Sequence, residues 1–218
     1  MQSLFQIFAK CALNRADKTA FTFLVDGEEK EVRNSYGQLY DNVLKCAGNL
    51  NSLGLFQKPV LLLYPSGIEY IKAFLACLAA GVIAVPVYPP RSSKHADRIN
   101  HILKDSGATT ILTTEKLKGK LETFDQKILS GCELLTLNAN PQSISFDGNS
   151  LQSPQNIAFI QYTSGSTGDP KGVIITNKNL IVNQQQLYHA GQHNPNGVIV
   201  SWLPRNRRLL LWRNSILC

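Results

Sequence analysis

The sequence predicts an α/β fold built from parallel βαβ sheet units with flanking helices. Two observations carry this. Short apolar runs of strand length stand at Val60–Leu63, Val82–Val87, Thr109–Leu112, Ile157–Ile160, Val173–Ile175 and Val198–Trp202. Segments with apolar residues at helical spacing lie between them, and strands so placed between helices indicate parallel units.

Taken in order, Phe5, Phe8, Ala9 and Ala12 mark a first helix face. A second begins after the polar caps Asn34 and Ser35, with Tyr36, Leu39, Tyr40, Val43, Leu44 and Ala47 on one side. Ile71, Phe74, Leu75 and Leu78 give a third, Ile99, Ile102 and Leu103 a weaker fourth. After Asn177 the spacing Leu180, Ile181, Leu187, Tyr188 is looser, and Leu180, Leu187 and Tyr188 are expected to be left in solvent. Ala73–Pro90 carries no charge across eighteen residues, yet Gly81, Pro86, Pro89 and Pro90 argue against a membrane span. The better reading is a buried helix ending near Ala80, a glycine turn, and a buried strand that stops at the prolines.

These elements divide the chain into an N-terminal α/β subdomain (1–137), a surface connection rich in Asn, Ser, Gln and Pro (138–156), and a strand–loop–strand–helix segment that starts a second subdomain (157–204). A basic, apolar tail of different character follows (205–218).

Composition narrows the class. With 218 residues, 44% hydrophobic and 17% charged, the chain suits one large or two small globular domains, which excludes disorder, collagen and coiled coil. The net charge of +7 is mostly a property of the tail, whose four arginines leave 18 basic against 15 acidic residues, a net +3, in residues 1–204. No nucleic-acid partner is expected from so small an excess, and Lys116, Lys118 and Lys120 read as a solvated helix face. Five cysteines with no CxxC pair and no histidine at ligand spacing support neither a disulfide framework nor a zinc site. The N-terminus lacks a basic region, and Gln6 and Lys10 interrupt its apolar run, so a cytoplasmic protein is expected.

The stretch that carries chemistry is Tyr162-Thr163-Ser164-Gly165-Ser166-Thr167-Gly168-Asp169-Pro170-Lys171-Gly172, set between two apolar runs. Thr163, Ser164, Ser166 and Thr167 supply hydroxyls, and Gly165 and Gly168 free the backbone, so that N–H groups and hydroxyls can turn toward one concave site. Phosphate oxygens suit such a site. Lys171 adds one mobile positive charge. The spacing Gly165-x-x-Gly168-x-x-Lys171 does not meet the Walker A pattern, which excludes a switch GTPase or P-loop kinase. Serine- and glycine-rich stretches are otherwise solvent loops, but a linker is not normally clamped between buried strands with one Pro-Lys-Gly at its exit.

These residues resemble the signature loop of the adenylate-forming enzymes, the family of acyl-CoA synthetases, peptide-synthetase adenylation domains and luciferases. Ile175-Thr176-Asn177-Lys178-Asn179-Leu180 resembles the family's continuation from strand into helix. Gly81-Val82-Ile83-Ala84-Val85-Pro86-Val87-Tyr88-Pro89-Pro90-Arg91, with Asp97-Arg98-Ile99 and Ile157-Ala158-Phe159-Ile160-Gln161-Tyr162, is most similar to fatty acyl-AMP ligases. The resemblance runs from about residue 3 to Pro204 and implies the N-terminal region of the adenylate-forming fold.

The resemblance also implies a reaction. A fatty-acid carboxylate attacks the α-phosphorus of ATP, with Mg²⁺ neutralising the phosphates, and the acyl group passes to an acyl carrier protein. Thr163, Ser164, Gly165, Ser166, Thr167 and Gly168 would hold the β and γ phosphates, with Lys171 as counter-charge. The family's adenine, ribose and acyl-pocket contacts and its adenylation lysine fall beyond this sequence, so no catalytic residue and no metal ligand is expected within it and this chain alone is expected to be inactive. After Ser201-Trp202-Leu203-Pro204 the family pattern gives way to Arg205-Asn206-Arg207-Arg208, which reads as a shifted frame. A non-catalytic nucleotide- or carrier-protein-binding module and a basic membrane-associated protein are the other classes. His95, His101, His189 and His193 pair with no Ser or Cys nucleophile in the sequence and are assigned no catalysis.

Overall fold

The computed structural model describes residues 2–90, 93–124, 131–137, 146, 153–164, 170–191, 198 and 200. In chain order it holds α1 (Leu4–Asn14), β1 (Thr19–Leu24), β2 (Glu31–Ser35), α2 (Tyr36–Ser52), β3 (Pro59–Leu63), α3 (Ile68–Ala80) and β4 (Ile83–Val87). There follow α4 (Ser93–Ser106), β5 (Thr110–Thr113), α5 (Glu115–Phe124), β6 (Glu133–Thr136), β7 (Ile157–Ser164), β8 (Pro170–Thr176) and α6 (Asn177–Ala190).

Local chemistry sets several boundaries. Helices α1, α2 and α6 each start with a reciprocal capping box, Ser3 with Gln6, Ser35 with Gln38, and Thr176 with Asn179. In each, the N-cap hydroxyl takes a backbone N–H that the helix cannot satisfy itself. Of the two expected caps before α2, Ser35 does the work. Helix α3 ends at Gly81, whose φ of 64° is left-handed, and Val82 N–H donates to Cys77 O at 2.9 Å to close the turn.

Six strands form one sheet in the order β6-β5-β3-β4-β7-β8, parallel from β6 to β7. Successive residues of β3 feed opposite cores: Val60 and Leu62 pack with α1, α2, α3 and α6, whereas Leu61 and Leu63 pack with α4 and α5. With both faces covered, β3 and β4 read as apolar runs rather than alternations, and β5 buries Thr110 and Thr113 on either side of Ile111 and Leu112. Pro86 in β4 has no N–H to give, and the ladder from β4 to β7 holds one registered pair, Ala84 with Phe159.

Several expectations need correction. Strand β8 is antiparallel to β7, not part of a parallel βαβ unit, because the two are joined by only the five residues 165–169, too few for a crossover. Leu180 does not face solvent: Asn177, Leu180, Ile181 and Gln184 form the buried stripe of α6, and Tyr188 is the residue left outside. Strand β6 and the antiparallel hairpin of β1 and β2 are additions to the predicted elements. Cys46, Cys77 and Cys132 are free thiols, whereas Cys11 is disulfide-bonded, which the cysteine spacing does not anticipate. Most of 138–156, most of Val198–Trp202 and all of 205–218 lie outside the described residues, although Phe146 packs against the larger core. No described helix is long and apolar enough to cross a membrane.

Candidate functional site

The Ser/Thr/Gly segment joins an interior strand to an edge strand. Register pairs Gln161 with Val173, Tyr162 with Gly172, Thr163 with Lys171 and Ser164 with Pro170. Thr163 is half-buried and Lys171 exposed, so a hydroxyl and a cation stand opposite each other at the end of the hairpin. Among the described residues no carboxylate pairs with Lys171. An ammonium beside a hydroxyl donor fits an oxyanion such as a phosphate oxygen.

One side chain packs across both limbs of this hairpin. The ring of Tyr162 covers Gly172, where an added Cβ would lie 2.9 Å from Ile160 Cγ2, 3.0 Å from Tyr162 Cζ and 3.2 Å from Tyr162 Oη. Only glycine leaves room for the ring. The Tyr162 hydroxyl donates to Asp105 Oδ2, in the last turn of α4, at 2.5 Å. Burial first, and then the hydrogen bond to the Asp105 carboxylate, hold the phenol well above its usual pKa, so Tyr162 keeps its proton as donor.

Of the residues expected to bind phosphate, the structure brings Thr163 and Lys171 together. Ser164 is described only through its backbone pairing with Pro170. Gly165, Ser166, Thr167 and Gly168 lie outside the described residues. Sequence reasoning missed the supporting group, Asp105, Tyr162 and Gly172. A glycine inside an apolar strand was a signal of close packing at Gly172, but nothing in the sequence ties Asp105 to a tyrosine 57 residues away. The histidines His101 and His189 are exposed on α4 and α6. No group of three or more His, Cys, Asp or Glu among the described residues could hold a metal ion.

Comparison with known proteins gives a consistent result. The family model described as AMP-binding enzyme matches residues 8–206. The chain is 32% identical to the medium-chain-fatty-acid–[acyl-carrier-protein] ligase TtuA of Teredinibacter turnerae, covering 88% of this chain and 36% of that protein. It is 34% identical to the long-chain-fatty-acid–AMP ligase FadD26 of Mycobacterium tuberculosis, covering 86% and 34%. Among solved structures, fatty acyl-adenylate ligase from L. pneumophila in complex with acyl adenylate and pyrophosphate superposes with a TM-score of 0.81 at 33% identity, over 94% of this chain and 36% of that one. The chain thus spans about a third of the length of the relatives it matches.

Proposed function

The chain belongs to the AMP-binding enzyme family, and on that premise we propose that it forms the phosphate-holding part of an ATP-dependent ligase that activates a fatty acid as its acyl-adenylate. The observation that carries this reading is the register of Thr163 against Lys171, a hydroxyl opposite a cation that no carboxylate among the described residues neutralises. ATP, when bound, supplies the phosphorus that the carboxylate attacks and the pyrophosphate that leaves. The chain's share is positioning and charge stabilisation. Thr163 donates a hydroxyl to the triphosphate, and Lys171 neutralises it as a point charge. Ser164, Gly165, Ser166, Thr167 and Gly168 complete the cradle in this proposal. Mg²⁺ would arrive with the nucleotide and neutralise part of its phosphate charge, since no described cluster of His, Cys, Asp or Glu could hold it.

The names of TtuA and FadD26 support a fatty acid as the substrate, and that of TtuA an acyl carrier protein as the acceptor. A cytoplasmic location belongs to the same proposal; the free thiols Cys46 and Cys77 support it, and the disulfide at Cys11 speaks against it. The chain spans about a third of its relatives' length, and the chain alone is proposed to hold triphosphate without turning it over. The test is to titrate the chain with inorganic tripolyphosphate, ATP·Mg²⁺ and adenosine while assaying pyrophosphate release with added fatty acid. The reading expects binding of the first two, none of adenosine and no release. Tight adenosine binding with no tripolyphosphate binding contradicts it.

A further inference from the structure

Lys171 lies on β8, which among the described residues pairs only with β7, and edge hairpins splay and slip in register unless something holds them. Here the hold is specific. Tyr162 lies across Gly172, the one residue of β8 without a Cβ, so a slip of one position would press a side chain into the ring. The ring is tethered in turn, because its hydroxyl donates to Asp105 Oδ2 at 2.5 Å. Tyr162 is buried and Asp105 lies at the surface of α4, so the bond ties the hairpin to the helix layer through a charge-assisted contact.

We propose that Asp105 is a positioning residue for the phosphate site: by accepting the Tyr162 hydroxyl it fixes the register and angle of the hairpin end, and so the placing of Thr163 opposite Lys171. The effect on affinity rests on the phosphate reading given above; the effect on the hairpin does not. Asp105 touches no ligand in this scheme. It acts through Tyr162, which acts through Gly172.

The test uses the whole chain and two readouts, backbone hydrogen exchange at residues 162–164, 171 and 172 without ligand, and affinity for inorganic tripolyphosphate. In Tyr162→Phe and Asp105→Ala, exchange at these amides should rise about tenfold and affinity fall about as much, the scale of one lost hydrogen bond. Exchange at Val60–Leu63 in β3 should stay unchanged. Asp105→Asn keeps an acceptor oxygen and should stay within about threefold of the parent. Unchanged exchange in both disruptive variants overturns the proposal, as does exchange raised equally in β3, which would mark a general loss of stability. If the parent chain binds no tripolyphosphate, the phosphate reading fails while the exchange measurement still decides whether Asp105 positions the hairpin.

Discussion

Gln57 grips Ile157 through both halves of its side-chain amide: Oε1 accepts from Ile157 N–H at 3.3 Å and Nε2 donates to Ile157 O at 3.4 Å, across 100 residues of sequence. The same Nε2 donates to Gly81 O at 2.8 Å, as does the Gln57 backbone N–H. With a single registered pair between β4 and β7, this amide supplies part of the ladder that the strands lack where β7 begins. The grip holds a left-handed backbone in place, since φ at Gln57 is 52°.

Two substitutions separate the amide from the backbone strain. Gln57→Ala removes the bonds and keeps the strain, and should cost about 1–3 kcal/mol in chemical denaturation. Gln57→Gly removes both and should cost about 1 kcal/mol less than the alanine variant. Equal losses would show that strain at this position is negligible.

Gly172→Ala should destabilise the chain by about 1–3 kcal/mol, the range for overpacking, because its Cβ meets Ile160 and Tyr162 at 3.0 Å or less. Thermal unfolding measures the loss. The double variant Gly172→Ala with Tyr162→Ala should recover part of the glycine-specific cost, since the ring that obstructs the Cβ is gone.

The depth of the sheet was legible because β3 and β4 are buried on both faces and so carry unbroken apolar runs, with Ile111 and Leu112 at the centre of β5. Caps at Ser35 and the turn at Gly81 were legible for equally local reasons. The hairpin of β1 and β2 and the edge strand β6 were not, because their residues are only partly buried and show no clean alternation. The antiparallel turn of β8 was available in principle from the shortness of its connection. At the site, Thr163 and Lys171 could be named from residue type and spacing, whereas Asp105 enters only through packing between α4 and the hairpin.

Alkaline stability should fall through a defined window. Burial pushes the Cys46 thiol from its usual 9.0 up to about 11, with nearby Lys72 only partly opposing it, and burial moves Cys77 and Tyr64 in the same direction. Below pH 9.0 the Cys46 thiol is neutral in both states, so its contribution is fully present. Between 9.0 and about 11 the unfolded chain ionises while the folded one does not, and stability declines. Denaturation midpoints followed across this range should fall less steeply in Cys46→Ala than in the parent, and parallel slopes would contradict the assignment.

Strand β8 leaves Val173 47% and Ile174 58% exposed at an edge that no described strand pairs. Such an edge favours association of the chain with itself. Light scattering against concentration should show self-association in the parent and a marked reduction in Ile174→Lys. Identical curves would place the association elsewhere.

The central claim is that the hairpin of β7 and β8 presents Lys171 and Thr163 to a triphosphate. Calorimetric titration of the chain with ATP·Mg²⁺, beside Lys171→Ala and a control substitution of the exposed Lys178 on α6, tests it most directly. The account predicts binding by the parent and Lys178→Ala, weakened about tenfold or more in Lys171→Ala, the scale of one charge-assisted contact. A cooperatively folded chain that binds no ATP·Mg²⁺, or binds it equally with and without Lys171, would contradict it.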